Sequence, residues 1–290
     1  MLGYRHAFHA GNHGDVLKHG ILARVLEYLV TKDRPLLYLD SHAGAGRYRL
    51  DSRDLANSEA ASGIGQLWRD SRPPALFRTY LGAVRAANPG GRLIRYPGSP
   101  VLARMALRDE DRGLLYELHP SDFPRLLQEI AGDARFRAWN QDGLAGLKAH
   151  LPPRERRALV LLDPSYELES DYRELPGVLA DALRRFPTGH YLIWYPLLGS
   201  GQARAERMLK AIERLQPPKT LRVELRLGGP SLAPGLVGSG MLLVNPPWVL
   251  EGELKQALPW LTERLGGGQG GWRLEWLTKE SALPNKLARP

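Results

Sequence analysis

An α/β fold built on a mostly parallel sheet is what these 290 residues predict, and three observations carry the expectation. Apolar runs of strand length alternate with segments of 3.6-residue periodicity along much of the chain. Glycine-bearing or acidic turns follow several of the runs, where such sheets hold their ligands. Hydrophobic residues make up 43% and charged residues 24%, and a chain of this length can bury one large core without staples.

The elements follow in order. Residues 15–32 have a helical apolar stripe of Leu17, Ile21, Leu22, Val25, Leu26 and Leu29. Residues 35–40 read as a buried first strand. Residues 54–88 read as two helices broken near Arg72-Pro73-Pro74, and form a helical insertion over about 50–92. Strands follow at 114–118, 136–140, 158–163 and 191–195. Helices begin near 121 and 144 and cover about 171–186 and 202–215. Strands near 220–227 and 240–245, with a Gly/Pro-rich loop between them, form an antiparallel pair, and a helix at 251–265 and a strand at 272–277 close the fold. The expectation is one domain over 1–278, an N-terminal lid over 1–13 and a flexible tail over 279–290.

Composition excludes several chemistries. The absence of cysteine removes disulfides, iron–sulfur clusters, thiolate zinc sites and thiol catalysis. No apolar run nears the ~20 residues of a membrane span, and the first residues lack the pattern of a secretory signal. A cytoplasmic protein is expected. The net charge is +9, from 40 basic and 31 acidic residues, and the basic set is mostly arginine. Guanidinium groups suit phosphate and base stacking, so the charge points toward nucleic acid, although an arginine excess on a solvated surface would give the same balance.

The strand ends carry the specific signals. Asp40-Ser41-His42-Ala43-Gly44-Ala45-Gly46 follows the first strand, and its glycines allow a ligand close to the backbone. The dinucleotide fingerprint G-x-G-x-x-G is incomplete. Glu117 ends the second strand, where an acid can accept ribose hydroxyls. Its distance from Gly46 exceeds the usual spacing of about 20 residues, which is the argument for an insertion between the first two strands. Asp142-Gly143 follows the third strand. A side chain there can meet an adenine amino group, and a plain turn would look the same.

After the fourth strand stands Asp163-Pro164-Ser165-Tyr166. An exocyclic base amine is a poor nucleophile, because its lone pair is delocalised into the ring. A carboxylate and a carbonyl accepting its two N–H groups return electron density. Asp163 and the Pro164 carbonyl can form that pair, and Tyr166 can stack on an extruded base. A helix-capping aspartate after a buried strand is the plainer alternative.

The order Asp-x-x-Ala-Gly-x-Gly, acidic strand end, Asp-Gly and Asp-Pro-x-Tyr resembles the Rossmann-like S-adenosylmethionine methyltransferases that modify amino nitrogens. The segments YRHAFHAGNHGDVLKH (4–19), DSHAGAGRY (40–48), YPGSPVLA (96–103), ELHPSD (117–122), WYP (194–196) and SGMLLVNPPW (239–248) resemble the 23S ribosomal RNA adenine-2030-N6 methyltransferase family. The resemblance spans nearly the whole chain except the tail. It implies a Rossmann-like methyltransferase sheet, mostly parallel with an antiparallel last strand. It implies that S-adenosylmethionine meets His19, His42, Gly44, Ser99, Glu117, Asp142, Gly143 and Asp163. Glu117 would hold the ribose and Asp142 would lie near the adenine. Asp163, with Pro164 and Tyr166, would receive the target amine, and Tyr4 and Lys18 would face the RNA. The partner would be 23S ribosomal RNA, deproteinised or in an early assembly intermediate, and the enzyme a monomer.

Two departures stand out. Position 165 is Ser where the amine-methylating pattern has a second Pro, which loosens the loop after Pro164. Asn245-Pro246-Pro247-Trp248 fits that pattern better, yet it follows a strand expected to run antiparallel, which places it at the wrong edge of the sheet. A metal site built from His6, His9, His13 and His19 is disfavoured, because no cysteine or carboxylate cluster joins them and glycines interrupt the segment. A nicotinamide oxidoreductase lacks its glycine fingerprint here. A non-catalytic RNA-binding protein, or a methyltransferase for another nucleic acid, are the remaining alternatives.

Overall fold

The computed structural model describes residues 6–50, 58–200, 202–228, 235–267 and 269–279. Helix α1 (His13–Val30) leads into β1 (Leu37–Asp40). The Asn12 side chain caps α1 by accepting from the Asp15 amide at 3.0 Å. The chain then makes β2 (Arg47–Arg49), one helical turn α2 (Glu59–Ser62), α3 (Ala75–Ala86), β3 (Arg95–Pro97) and α4 (Ser99–Ala106). Alternation follows through β4 (Arg112–Tyr116), α5 (Phe123–Glu129), β5 (Phe136–Trp139), α6 (Gly143–His150), β6 (Ala158–Leu162), α7 (Glu169–Arg185) and β7 (His190–Leu198). Last come α8 (Gln202–Arg214), β8 (Thr220–Arg226), β9 (Leu236–Val244), α9 (Leu250–Gly266) and β10 (Gly271–Thr278).

The eight-stranded sheet has the order β10-β8-β9-β7-β6-β1-β4-β5. From β5 to β7 every pairing is parallel. β9 runs antiparallel to both β7 and β8, and β10 runs antiparallel to β8. The single reversed last strand expected from sequence is thus two strands, β9 and β10.

Strand alternation sorts the core into two layers. In β6, Leu159 and Leu161 join the apolar cluster under α1, α3, α4 and α9, while Ala158, Val160 and Leu162 join the cluster under α6, α7 and α8. Both faces are covered, so the strand is apolar at every position, as a buried parallel strand requires. On the first face α1 packs against α3 and β9, and Arg24 reaches α9 with a two-pronged bond to Glu253 at 2.7 and 2.8 Å.

The insertion departs most from expectation. Residues 59–66 form one α-helical and one 3₁₀ turn in place of a first long helix, and 51–57 lie outside the described residues. The excursion is fastened at its base by a small antiparallel pair, with Tyr48 opposite Tyr96. It has no core of its own. Phe77 and Tyr80 are fully buried in the same cluster as α1, and a Cβ at Gly20 of α1 would lie 2.2 Å from the Phe77 ring. The N-terminal segment is partly fixed as well. Ala10 to His13 are buried, and the Gly11 carbonyl accepts from the Ile64 amide at 2.8 Å. Of the lid expected over 1–13, residues 10–13 therefore belong to the framework, and 1–5 lie outside the described residues together with Tyr4. The expected tail, apart from Lys279, lies outside them too.

Candidate active site

A cavity of about 640 Å³ opens at the carboxyl ends of the parallel strands. Its wall includes Gly44 after β1, Glu117 after β4, Asp142 and Gly143 after β5, and Asp163 to Tyr166 after β6. Lys18 and His19 of α1, His42 and Ser99 also line it. Of the residues expected to form the site, the structure brings together all but Tyr4.

The turn after β1 is built for close approach. Gly44 has φ +62°, and a Cβ there would lie 2.0 Å from the Tyr48 hydroxyl. Gly143 starts α6 hard against the same turn, where a Cβ would lie 2.0 Å from the Ser41 carbonyl oxygen. Asp142 caps α6 by accepting from the Leu144 amide at 2.9 Å, and its side chain stays exposed at the rim. Glu117 closes the turn from the next strand. Its carboxylate accepts from the Gly44 amide at 2.7 Å and the His119 amide at 2.6 Å. Burial raises its pKa even so.

Asp40 is fully buried beneath the turn. It accepts from the Tyr38 and Ser99 hydroxyls, each at 2.7 Å, and from the His42 amide at 3.2 Å. Ser99, expected on the cofactor, thus gives its proton to Asp40 and ties α4 to the end of β1. His19 shares a hydrogen bond with the Tyr96 hydroxyl at 2.7 Å, and burial lowers its pKa to about 3. His42 pairs with the Ser41 hydroxyl at 2.7 Å, and burial lowers its pKa to about 4. Both rings are neutral at physiological pH.

Asp163 stands where β6 ends. Its Oδ2 accepts from the Lys18 ammonium at 2.5 Å. Burial lifts its pKa to about 6 although the adjacent Lys18 charge pulls the other way. Lys18 was expected to face RNA; it is instead buried, at 3% exposure, between Asp163 and Asp15. The Asp15 carboxylate lies 2.9 Å from that ammonium and accepts from the Gly11 amide at 2.8 Å and from His6 at 3.0 Å. Burial opposes its charge, yet His6 and Lys18 hold it well below the usual carboxylate range. The result is a chain of alternating charge, Asp163–Lys18–Asp15, whose ammonium also lies 5.4 Å from the Trp194 ring centre.

Tyr166 differs in detail from its expected part. It sits at φ +57°, a conformation costing a non-glycine residue roughly 1–3 kcal/mol and typical of functional turns. Its hydroxyl donates to the Trp194 carbonyl at 2.6 Å, and its ring lies 4.7 Å from that of Tyr172 and 5.8 Å from that of Trp194. The ring is therefore packed by protein, and Trp194 shares the aromatic wall of the cavity with it.

Asp15 and Trp194 carry no role in the sequence reading, and His6 and Asp40 appear there only as members of a histidine set and of the strand-end motif. Asp15 reads as an ordinary first-turn acid of a helix. Trp194 opens the segment WYP (194–196), which gives no sign of a cavity wall. The alternative motif resolves clearly. Asn245 donates to the carbonyls of Pro187 and Gly189, just before β7, at the amino edge of the sheet and away from the cavity. Among the described residues no group of three or more His, Asp or Glu could hold a metal, and no helix is long and apolar enough to cross a membrane.

Similarity to known proteins agrees with this geometry. Residues 33–278 match the family described as "Ribosomal RNA large subunit methyltransferase D, RlmJ". The chain is 44% identical over 282 residues to "Ribosomal RNA large subunit methyltransferase J" of Escherichia coli (strain K12), covering 97% of this chain and 100% of that protein. Identity to the protein of the same name from Haemophilus influenzae is also 44%, over 283 residues, with 97% and 100% covered. The crystal structure of protein LPL1258 from Legionella pneumophila superposes with a TM-score of 0.86 at 37% identity, over 92% of this chain and 98% of that one. The chain belongs to the large-subunit ribosomal RNA methyltransferase J family, and it is a methyltransferase.

Proposed function

We propose that this enzyme methylates the N6 amine of adenine-2030 in 23S ribosomal RNA, with the base turned out of its helix. The single observation carrying the reading is Asp163-Pro164 at the end of β6, opening into the cavity that Gly44, Glu117 and Asp142 line. The cavity fits the cofactor: glycines stand where a Cβ would clash, and an acidic strand end lies beside the turn. When bound, S-adenosylmethionine supplies an electrophilic methyl group on a sulfonium.

The chain's own groups do the rest. Asp163 and the Pro164 carbonyl accept the two N–H bonds of the incoming amine and aim its lone pair into the cavity. The Asp163 carboxylate stabilises positive charge as it grows on nitrogen. Lys18 holds that carboxylate in one orientation, Asp15 holds Lys18, and His6 holds Asp15. Tyr166 and Trp194 form the apolar wall beside which an extruded base, costing a few kcal/mol to unstack, can lie. Glu117 and Asp142 offer acceptors at the rim for ribose and adenine groups. A ribosomal RNA substrate puts the enzyme in the cytoplasm. A cavity complete within one chain fits a monomer acting on deproteinised RNA or an early assembly intermediate.

The test is a map of methylated adenines in ribosomal RNA from cells with the gene, without it, and with Asp163→Asn. One adenine in 23S RNA should lose its mark in the last two. An unchanged map would reject the reading.

A further inference from the structure

A second cavity, of about 520 Å³, lies at the amino edge of the sheet, across the strands from the active site. Its wall is made by Lys32, Asp33 and Arg34 between α1 and β1, by Arg156 and Arg157 before β6, and by Thr188 and His190 where β7 begins. Four cations thus face one carboxylate. Among the described residues, no carboxylate lies within ion-pair distance of Lys32, Arg34, Arg156 or Arg157. Most other arginines that shape this molecule, such as Arg24, Arg108, Arg112 and Arg135, are matched by a carboxylate.

The cleft is also preformed. The Arg157 guanidinium donates to the carbonyls of Leu29 at 2.6 Å and Arg34 at 2.5 Å. It is held in the wall without being neutralised. Arg108 crosses behind the same loop and donates to the carbonyls of Lys32 and Arg34 at 3.0 and 2.9 Å. Burial first, then the neighbouring Arg108 and Arg34 charges, lower the Arg157 pKa against the opposing pull of Asp111. A fixed, half-buried guanidinium flanked by three exposed cations matches a phosphate group, which takes guanidinium bonds in pairs and ammonium as a point charge.

We infer that this cleft binds a phosphate of the RNA substrate's backbone, so that the RNA is gripped at the amino edge of the sheet while the target base occupies the carboxyl edge. The inference rests on ribosomal RNA being the substrate. The edges are one strand apart, roughly 15–20 Å for strands of this length, which a folded RNA easily spans. Backbone contacts of this kind fix register and carry no sequence information, which suits an enzyme whose chemistry needs one base in one place.

The experiment uses the full chain, with Lys32 and Arg156 both changed to Glu. Both side chains are exposed and have no carboxylate partner to lose, so the fold should be unaffected. A control carries the same charge change on α8, with Lys210 and Arg214 changed to Glu. Affinity for a 23S fragment containing the target adenine is measured across a salt series, with S-adenosylmethionine binding and methyl transfer measured alongside. The cleft variant should bind RNA at least about tenfold more weakly, with a salt slope shallower by about one, the value for one lost phosphate contact. KM for RNA should rise, kcat at saturating RNA should hold, and cofactor binding should not change. The α8 control should change less than about twofold. Equal losses in both variants would mean that only net charge matters, and unchanged RNA affinity would mean that the cleft does not meet RNA; either overturns the inference. Inorganic phosphate is titrated in parallel while the His190 ring resonances are followed. Saturation at low phosphate concentration, with RNA affinity unaffected by the substitutions, would assign the cleft to a free anion and overturn the RNA reading. If wild-type enzyme failed to methylate the fragment, it is the substrate assignment that would fall.

Discussion

In the proposed reaction Asp163 answers two demands that pull against each other. To accept a hydrogen bond from a neutral amine with full strength it must be ionised, and the walls that keep water from that amine resist ionisation. Burial raises the Asp163 pKa and Lys18 opposes the rise, leaving it at about 6. Protonation removes an acceptor and a negative charge, so transfer should fall as pH drops through about 6 and level off above it. Single-turnover rates from pH 5 to 8 check this, and a profile flat across pH 6 would contradict it. Asp163→Asn keeps the shape and loses the charge. A drop on the order of 10²–10³ in rate is expected, with cofactor affinity retained, read by calorimetry beside the rates. Gly143→Ala should act differently. Its new Cβ would meet the Ser41 carbonyl at 2.0 Å, so α6 must shift from the β1 turn, and cofactor affinity should fall along with the melting temperature. Gly143 and Asp163 could be placed at the cavity from sequence because each lies in a turn after a strand. It could not find the Asp163–Lys18–Asp15 chain, because Lys18 and Asp163 stand 145 positions apart and Asp15 has an ordinary helix-start identity.

Strand direction decides which of two similar motifs sits at the cavity. Asn245-Pro246-Pro247-Trp248 has the better match, and β9 delivers it to the far edge because β9 opposes β7. There Asn245 adopts φ +53° and bridges the carbonyls of Pro187 and Gly189 at 2.9 and 2.7 Å. Asn245→Ala should therefore cost about 1–3 kcal/mol of stability, read from the denaturation midpoint, and leave methyl transfer intact in the folded fraction. Inactivity in a folded Asn245→Ala protein would return the motif to the reaction. Elements long enough to show a period, such as α1, β6 and α7, were legible in the sequence. β2 and β3 were not, since each has three residues and its partner lies across the whole insertion. Nor was α4, which begins Ser-Pro; Pro100 reads as a breaker but is at home in the first turn of a helix.

The molecule as a whole couples its site to acid. His19 and His42 are held neutral by burial, at about 3 and about 4, whereas an exposed imidazole titrates near 6.5. Below that pH the unfolded chain binds protons that the folded chain refuses, so the stability linked to these rings is lost as pH falls. His19→Gln removes one such ring and should flatten the fall of melting temperature between pH 6.5 and 4.5. Identical slopes for the two proteins would show that His19 is not held neutral. Net charge was also legible at this scale, but its placement was not. Summing residues gives +9, and only the strand order brings Lys32, Arg156 and Arg157 to one edge.

The helix that supplies Lys18 and His19 is the first to be synthesised; α3 and α4 follow it early, but β9 and the Glu253 of α9 are among its last partners. Arg24 waits for Glu253, 229 residues later, and α1 cannot bury its face on β9 until that strand has left the exit tunnel. At translation speeds of 5–20 residues per second this is a delay of roughly 10–50 s. During that time the part of α1 that meets β9 has no partner to cover it. The working site is thus a product of chain completion. A message truncated between Tyr166 and α9 would yield a polypeptide with Lys18, Asp163 and Tyr166 all present and no α9 to complete the packing of α1.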